Sequence, residues 1–400
     1  MSSASPASLR IAHLADTHLG YSAYGKSDPE SGRNQRAVDI ERSFEAAISD
    51  ILTRNVDLVL HAGDAFHHTR PSWSTLTHFV RQMRRLEAAG IPVVVIAGNH
   101  DTPRLRTTGS VYGLLALALP GTRFIAGYET EEVTFERLGV TVHGVPHGAL
   151  TNPDPPSILP VPGTRNIVVA HGVVPGHVFT AGHEPGEADL RGNILASEHD
   201  YIALGHIHLR TSTGINAHYS GSTERTSWSD QQAEPGYALV TLGKESGVPK
   251  VEYVNVAARP METLTPIDGA ERDARDLAEM ILARAGALGK PEAMVRVELR
   301  NTPRPLFRET DAIVRRETGD NAWHIRLTSP GEALDLLGRE GITGLADLHP
   351  VALFESFVAS REATGEYESV FASAFRERGK GSLERAIARL QEASASEGAS

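Results

Sequence analysis

The sequence predicts an α/β protein with a mixed sheet over residues 9–258, then a small βαβαβ unit, then a helical C-terminal segment. Three observations predict it. Short apolar runs alternate with amphipathic stretches over the first hundred residues. Later apolar runs come in pairs joined by tight glycine turns. Past residue 259 the texture changes to a second, shorter alternation.

Residues 9–15 form the first apolar run. From about 36 to 54, Ile40, Phe44, Ala47, Ile48 and Ile51 recur at helical spacing. Residues 56–62 form a second run, and a helix over about 74–89 ends at Gly90, a natural helix stop. Residues 91–97 form a third. Strand, helix, strand, helix, strand argues for right-handed βαβ units and buried parallel strands. Residues 133–136 and 140–145 turn through Gly139 and read as a hairpin. Short strands follow at 167–170 and 201–204, and an antiparallel pair at 237–242 and 250–256. The Pro-rich stretch 152–163 reads as a surface loop. Beyond 259, strands at 261–267, 293–299 and 322–327 alternate with helices at 271–285 and 307–317. Residues 345–364, 367–378 and 382–392 read as helices, ending in a small polar tail.

At 400 residues the chain is long enough for two or three domains. It is 40% hydrophobic and 22% charged, as ordinary globular proteins are, with no apolar run of membrane-spanning length and no secretory leader pattern. Cysteine is absent, which excludes disulfides, thiolate zinc sites and a cysteine nucleophile, and fits a cytoplasmic protein. Net charge is −11, divided as −6 over 1–258 and −5 over 259–400. Neither half is basic, so any attraction to nucleic acid has to be local.

Five apolar runs end in polar clusters. They are Asp16-Thr17-His18, then Gly63-Asp64 with His67 and His68, then Gly98-Asn99-His100-Asp101, then His171-Gly172, then Gly205-His206-Ile207-His208. Ligand sites of open α/β sheets lie beyond the carboxyl ends of strands, so the five converge on one edge. Carboxylate and imidazole groups suit manganese, iron or zinc. On extended backbone, Asp16/His18 and His206/His208 each point to one side. Asp64, on the strand between the other two, is the natural bridge between two ions that activate a water and clamp a phosphate, while a nearby histidine protonates the leaving oxygen. A lone histidine is usually structural, and the other histidines are read that way, with His13 and His61 in the core. Five clusters at five strand ends are a poor fit to chance.

DTH, GDAFH, GNHD, HG and GHIH, in this order over 9–223, resemble the calcineurin-like metallophosphoesterase superfamily. Phosphatases of that superfamily continue the second motif as GDxxDRG; here His67 stands at the second acidic position. That replacement, with HLADTHLGY and Arg33-Asn34-Gln35-Arg36, is similar to SbcD-type double-strand-break repair nucleases. The resemblance implies a mixed-sheet metallophosphoesterase sandwich with helices on the outer faces (1–258), a capping domain (259–330) and a helical partner-binding segment (331–400). It implies one metal on Asp16, His18, Asp64 and His208, and another on Asp64, Asn99, His171 and His206. His100 would protonate the leaving group or stabilise the transition state, and His67 would orient it or support the phosphate. The implied cofactor is two divalent ions, manganese in most of the family. The implied partners are DNA, recognised by structure and not by sequence, an SbcC-type SMC-like ATPase and a second copy of the chain, with no membrane. Val351, Leu353, Phe354, Phe357 and Val358 are the apolar face proposed for the ATPase. Tyr24, Lys26, Arg33, Asn34, Arg36, Arg70, Arg104 and Arg106 follow the motifs and are candidates for phosphate contacts. A phosphodiesterase for small molecules is the alternative activity; a protein phosphatase and a metal-free scaffold fit less well.

Overall fold

A computed structural model describes residues 8–176, 187–243 and 247–330, together with 354, 358, 370 and 373–382. The chain divides into two compact units, Met1–Gly338 and Arg339–Ser400.

The first unit opens with β1 (Leu9–Leu14), α1 (Gln35–Ile51), β2 (Leu58–His61), α2 (Trp73–Ala88), β3 (Val93–Ile96), α3 (Val111–Ala118) and β4 (Thr122–Ile125). The hairpin β5 (Glu131–Phe135) and β6 (Val140–Val145) follows, then a single turn α4 (His147–Leu150), β7 (Arg165–His171), β8 (Tyr201–Gly205), β9 (Thr211–Ser212) and β10 (Ala217–Tyr219). The pair β11 (Gly236–Leu242) and β12 (Lys250–Asn255) closes this part. Two six-stranded sheets result, ordered β12-β11-β1-β2-β3-β4 and β5-β6-β7-β8-β10-β9. In the first, β1 to β4 run parallel, β11 lies antiparallel to β1, and β12 lies antiparallel to β11. The mixed α/β sandwich expected of the family is therefore what the chain adopts.

Alternation sorts each strand's side chains. Leu9 and Ile11 of β1 face the second sheet, in one core with Leu58, Leu60, Val94, Ile96, Val142, Ile167 and Val169. Ala12 and Leu14 face the other way, packed with Phe44, Ile48, Phe79 and Met83 of α1 and α2. The outer face of the second sheet is covered differently. Val168, Ala170, Ile202 and Leu204 lie under Leu150, Ile158, Leu190 and Ile194, which belong to α4 and irregular segments. Segment 152–163 is thus a loop that closes a core.

A four-stranded parallel sheet follows, with β13 (Met261–Thr263), β14 (Ile267–Asp268), β15 (Met294–Arg300) and β16 (His324–Thr328), backed by α5 (Ala274–Gly286) and α6 (Arg304–Glu317). One strand was expected at 261–267; the chain makes two short ones there. The strand at 122–125, the helix at 111–118 and the short strands at 211–212 and 217–219 were not anticipated.

In the second unit the described positions are helical, and the Phe354 and Phe375 rings lie 5.4 Å apart. Val358 is buried, so it presents no surface to a partner. Val351, Leu353 and Phe357, all but the first residue of the helix expected over 382–392, and His177, His183 and His349 lie outside the described residues. No described helix is long and apolar enough to cross a membrane.

Several histidines are buried in neutral form. His13 sits between the sheets, against the Tyr201 hydroxyl at 2.9 Å and the Leu204 carbonyl at 3.2 Å. Burial, reinforced by His218, pushes His13 down to about 3. Burial likewise pushes His61 down to about 3, and partial burial with the neighbouring Lys26, Arg315 and Arg326 pushes the half-buried His324 to about 4. Below the ordinary histidine range near 6.5, the unfolded chain binds protons that the folded chain refuses. Stability is then complete above that value and is lost as pH falls, by about 1.4 kcal/mol per pH unit for each such ring. Melting temperature should therefore fall steadily between pH 6.5 and 5 in calorimetry; a flat profile would contradict the neutral buried state.

Candidate metal centre

Asp16 and His18 follow β1, Asp64 follows β2, Asn99 and His100 follow β3, His171 ends β7, and His206 and His208 follow β8. The two sheets each contribute strand ends, and the clusters meet between them. Three groups of carboxylate and imidazole atoms lie within 4.8 Å of one another: Asp16/His18/His208, Asp16/Asp64/His171 and His18/His67/His100.

The convergence has a cause other than extended backbone. Asp16, His18, Asp64 and His206 all adopt positive φ, at 52°, 46°, 53° and 99°. The expectation that spacing along a strand would align Asp16 with His18 and His206 with His208 is corrected: β1 and β8 have already ended, and a left-handed turn swings each group inward. Such conformations cost of order 1–3 kcal/mol each and persist where the surroundings over-determine them. Here the Asp16 N–H donates to the Gly63 carbonyl at 3.1 Å and the His18 N–H to the Asp64 carbonyl at 3.0 Å. The His206 N–H donates to both Asp16 carboxylate oxygens at 3.0 Å. Glycine is required alongside. A Cβ on Gly98 would lie 2.1 Å from Asp64 Oδ1, and one on Gly63, at φ 93°, would lie 2.3 Å from His171 Nδ1.

Each ring has one nitrogen committed outward. His171 Nδ1 donates to the Ala62 carbonyl at 2.8 Å, leaving Nε2 at 2.9 Å from Asn99 Oδ1 and 3.3 Å from Asp64 Oδ2. His206 Nε2 meets Glu187 Oε1 at 3.2 Å, leaving Nδ1 at 3.1 Å from Asn99 Oδ1. His208 Nδ1 donates to Asp230 Oδ2 at 3.0 Å, and its Nε2 lies 3.0 Å from His18 Nε2. Asp230 and Glu187 therefore set tautomers, as outer carboxylates of metal-bound histidines do. Neither was found from sequence. Asp230 lies in SDQQ, far from any strand end, and Glu187 in a loop.

His100 takes its place through the backbone: its N–H donates to Asp64 Oδ1 at 2.9 Å and its Nδ1 to the His67 carbonyl at 3.2 Å. The His67 ring stacks on His100 at 4.9 Å and 23°, and its Nδ1 lies 3.3 Å from His18 Nδ1. His68 is exposed and packs edge-on against His67. Asp101 ties the second and third motifs together, accepting from Gly98 N at 2.7 Å, Phe66 N at 3.3 Å and the Tyr112 hydroxyl at 2.6 Å.

The donor set fits divalent ions. Burial opposes ionisation of Asp64, but the facing His171 and His18 hold its carboxyl well below the usual range. Two Nε2 atoms 3.0 Å apart, on rings whose outer nitrogens are engaged, make a poor neutral contact and a good ligand pair. Two carboxylates, two further imidazoles and an amide oxygen match the hard-to-borderline metals.

Two candidate DNA contacts are withdrawn on structural grounds. Arg36 is buried and paired with Asp39 at 2.7 Å and Glu224 at 3.4 Å, with no surface for a phosphate. Asn34 caps α1, its side chain accepting from Arg36 N and Ala37 N. Arg33 pairs with Glu41, whereas Arg70 and Arg104 are exposed.

Residues 9–210 match the family model described as calcineurin-like phosphoesterase. The chain belongs to that family. Among curated relatives, this calcineurin-like phosphoesterase is 32% identical to the DNA double-strand break repair protein Mre11 of Haloferax volcanii, over 73% of this chain and 61% of that one. It is 26% identical to the protein of the same name from Methanopyrus kandleri, over 62% and 57%. A third, from Methanocaldococcus jannaschii, is 30% identical over 63% and 68%. The chain thus spans about 60% of the length of the first two, which are covered to 61% and 57%.

Burial opposes protonation of His171, but Asp64 outweighs it and raises the ring to about 9. At pH 7 the metal-free ring is imidazolium, and an ion taking Nε2 has to displace the proton. Manganese binding at pH 7 should release about one proton, read as a binding enthalpy that varies with buffer ionisation heat, and the release should shrink as pH approaches 9. An enthalpy independent of buffer at pH 7 would count against this pairing.

Proposed function

We propose that the chain is a manganese-dependent nuclease that cleaves DNA phosphodiester bonds, as exonuclease and endonuclease, in double-strand-break repair. The observation that carries it is the meeting of Asp16, His18, Asp64, Asn99, His171, His206 and His208 in one cluster with His100 beside it. Likeness to three repair proteins named Mre11 supports DNA as the substrate. In this reading Asp16, His18, Asp64 and His208 hold one ion, and Asp64, Asn99, His171 and His206 the other. Bound there, two ions would supply an activated water and charge neutralisation at the phosphate.

The chain's own residues do the rest. Asp230 and Glu187 keep His208 and His206 in the tautomers that turn a lone pair inward. Asp64 holds His100 through its backbone N–H. With Nδ1 donating to the His67 carbonyl, His100 turns Nε2 toward the site, and in its imidazolium form it would pass the Nε2 proton to the leaving oxygen and be left neutral. His67 stacks on that ring and limits its rotation.

We assign the parts as a nuclease domain (1–258), a capping domain (259–330) and a segment (331–400) that docks an SbcC-type ATPase. The separate β13–β16 sheet and the helical residues 373–382 support this division. Exposed Trp73, Leu114 and Leu117 on α2 and α3 support self-association. DNA contact is assigned to Arg70 and Arg104 and to a cationic patch in which Lys26, already a candidate from the sequence, is joined by Arg315 and Arg326. Burial, then Lys26, Arg315 and Arg326, push His324 down to about 4, so three cations from three elements converge on it. Lys26 also lies over the Trp323 ring at 5.3 Å, and Tyr24 lies against His324 at 4.5 Å.

The test is cleavage of end-labelled linear duplex with manganese, magnesium or chelator, beside a small phosphodiester ester. Manganese-dependent loss of duplex is expected, with none in Asp64→Ala. His100→Ala should keep its metal and lose about 10²–10⁴-fold in turnover; wild-type cleavage by that variant would remove His100 from the mechanism. Turnover of the ester with no action on DNA, even with an ATPase partner, would assign the small-molecule phosphodiesterase.

The patch has its own measure. Lys26→Gln combined with Arg326→Gln should weaken DNA binding and reduce the slope of log affinity against log salt by about 1.5, from roughly 0.7–0.9 per phosphate contact. An unchanged slope would leave the patch without a role in binding.

A further inference from the structure

The four-stranded sheet reaches the metal centre through one short turn. Asp230 stands in the 3-10 turn Trp228–Gln232 and is buried. Its Oδ2 accepts from Thr226 N at 2.9 Å, Thr226 Oγ1 at 3.0 Å and Ser227 N at 3.0 Å, besides His208 Nδ1 at 3.0 Å. The residues flanking Asp230 are gripped by the small sheet. Trp228 is buried with Met261 of β13 and Met294 of β15, and the Arg296 guanidinium of β15 lies over its ring at 4.9 Å. Gln231 Oε1 accepts from Thr263 Oγ1 of β13 at 2.7 Å and from Arg296 Nη2 at 3.2 Å.

Arg296 is an expensive residue to keep there. It is buried, no carboxylate pairs with it among the described residues, and its Nη1 makes no hydrogen bond. Its register neighbour on β16 is Arg326, a like charge. A buried guanidinium without a carboxylate is destabilising by itself. Its Nη2 donates to Thr263 Oγ1 at 3.2 Å as well as to Gln231, and with the stack on Trp228 it reaches both sides of the residue that holds His208.

We propose that Asp230 is a positioning residue for the ion held by His18 and His208, and that Arg296, Thr263 and Gln231 act through it. Docking of β13 and β15 on Trp228 and Gln231 holds the 226–232 turn, which holds the His208 ring with Nε2 toward His18. Residues of the small sheet thereby set the affinity of one of the two ion positions. This rests on the two-metal reading above.

The test titrates the full metal-free chain with manganese alone by calorimetry, in wild type, Asp230→Asn, Arg296→Met with Gln231→Leu, and the milder Thr263→Val. Partners of this kind typically carry 10–100-fold in metal affinity. Asp230→Asn should weaken one ion by about that factor and leave the other within about twofold. The Arg296/Gln231 double variant should weaken the same ion about tenfold, and Thr263→Val less, in the same direction. If only Asp230→Asn has an effect, the turn holds Asp230 unaided and the coupling to the small sheet is overturned. If both ions weaken equally together with the melting temperature, the effect is general destabilisation and the proposal falls. A second readout uses no metal: the ¹⁵N shifts of His208 in histidine-labelled chain, assigned through His208→Gln. The Nδ1–H tautomer should dominate in wild type and mix in the double variant, and an unchanged signal would overturn the relay. A wild type that binds no ion yet shows the tautomer change would sink the two-metal reading and keep the relay.

Discussion

One carboxylate has to stay ionised out of water, and much of the first unit is arranged around it. Asp64 is buried between two sheets, where an isolated charge costs several kcal/mol. His171 at 3.3 Å and His18 at 3.8 Å supply the compensating field, and the His100 N–H supplies a hydrogen bond to the other oxygen. Those three come from three strand ends on two sheets, so the charge can be satisfied only when the sandwich is assembled. Gly98 leaves the space the carboxylate occupies, which makes the glycine as necessary as the aspartate.

The same constraint accounts for the strained backbone. Four residues of the cluster sit at positive φ, and nearly every bond that stabilises those turns runs between motifs. Asp16 leans on Gly63, His18 on Asp64, His206 on Asp16. Asp101 extends the scheme by joining Gly98 to Phe66. The motifs are thus mutually dependent, and the second layer of Asp230, Glu187 and the Ala62 carbonyl decides which nitrogen of each ring faces inward.

The acidic balance is also resolved in three dimensions. Several arginines are spent inside the fold: Arg36 on Asp39 and Glu224, and Arg259 on Asp39 while stacked over Trp323. What remains at the surface is local. Lys26, Arg315 and Arg326 come from a loop, a helix and a strand 300 residues apart at the extremes and gather beside His324, with Arg315 also paired to Asp311 at 2.7 Å, so cationic groups still meet locally in a chain of net charge −11.

Sequence by itself determined the chemistry and the strand-end placement of the cluster. Apolar runs of four to six residues ending in Asp, Asn or His are local patterns, and local patterns are what a one-dimensional reading can weigh. The α/β class, the helices at 35–51 and 73–88 and both antiparallel pairs were legible for the same reason. Tertiary structure alone decided the rest. That the strands divide into two sheets depends on which apolar faces meet, and 122–125 (TRFI) carries too little pattern to announce a strand. That Arg36 is a core ion pair and Asp230 a partner of His208 depends on contacts spanning 188 and 22 residues. Side-chain identity says what a residue is able to do; burial and distance, which only the folded chain possesses, say what it is used for.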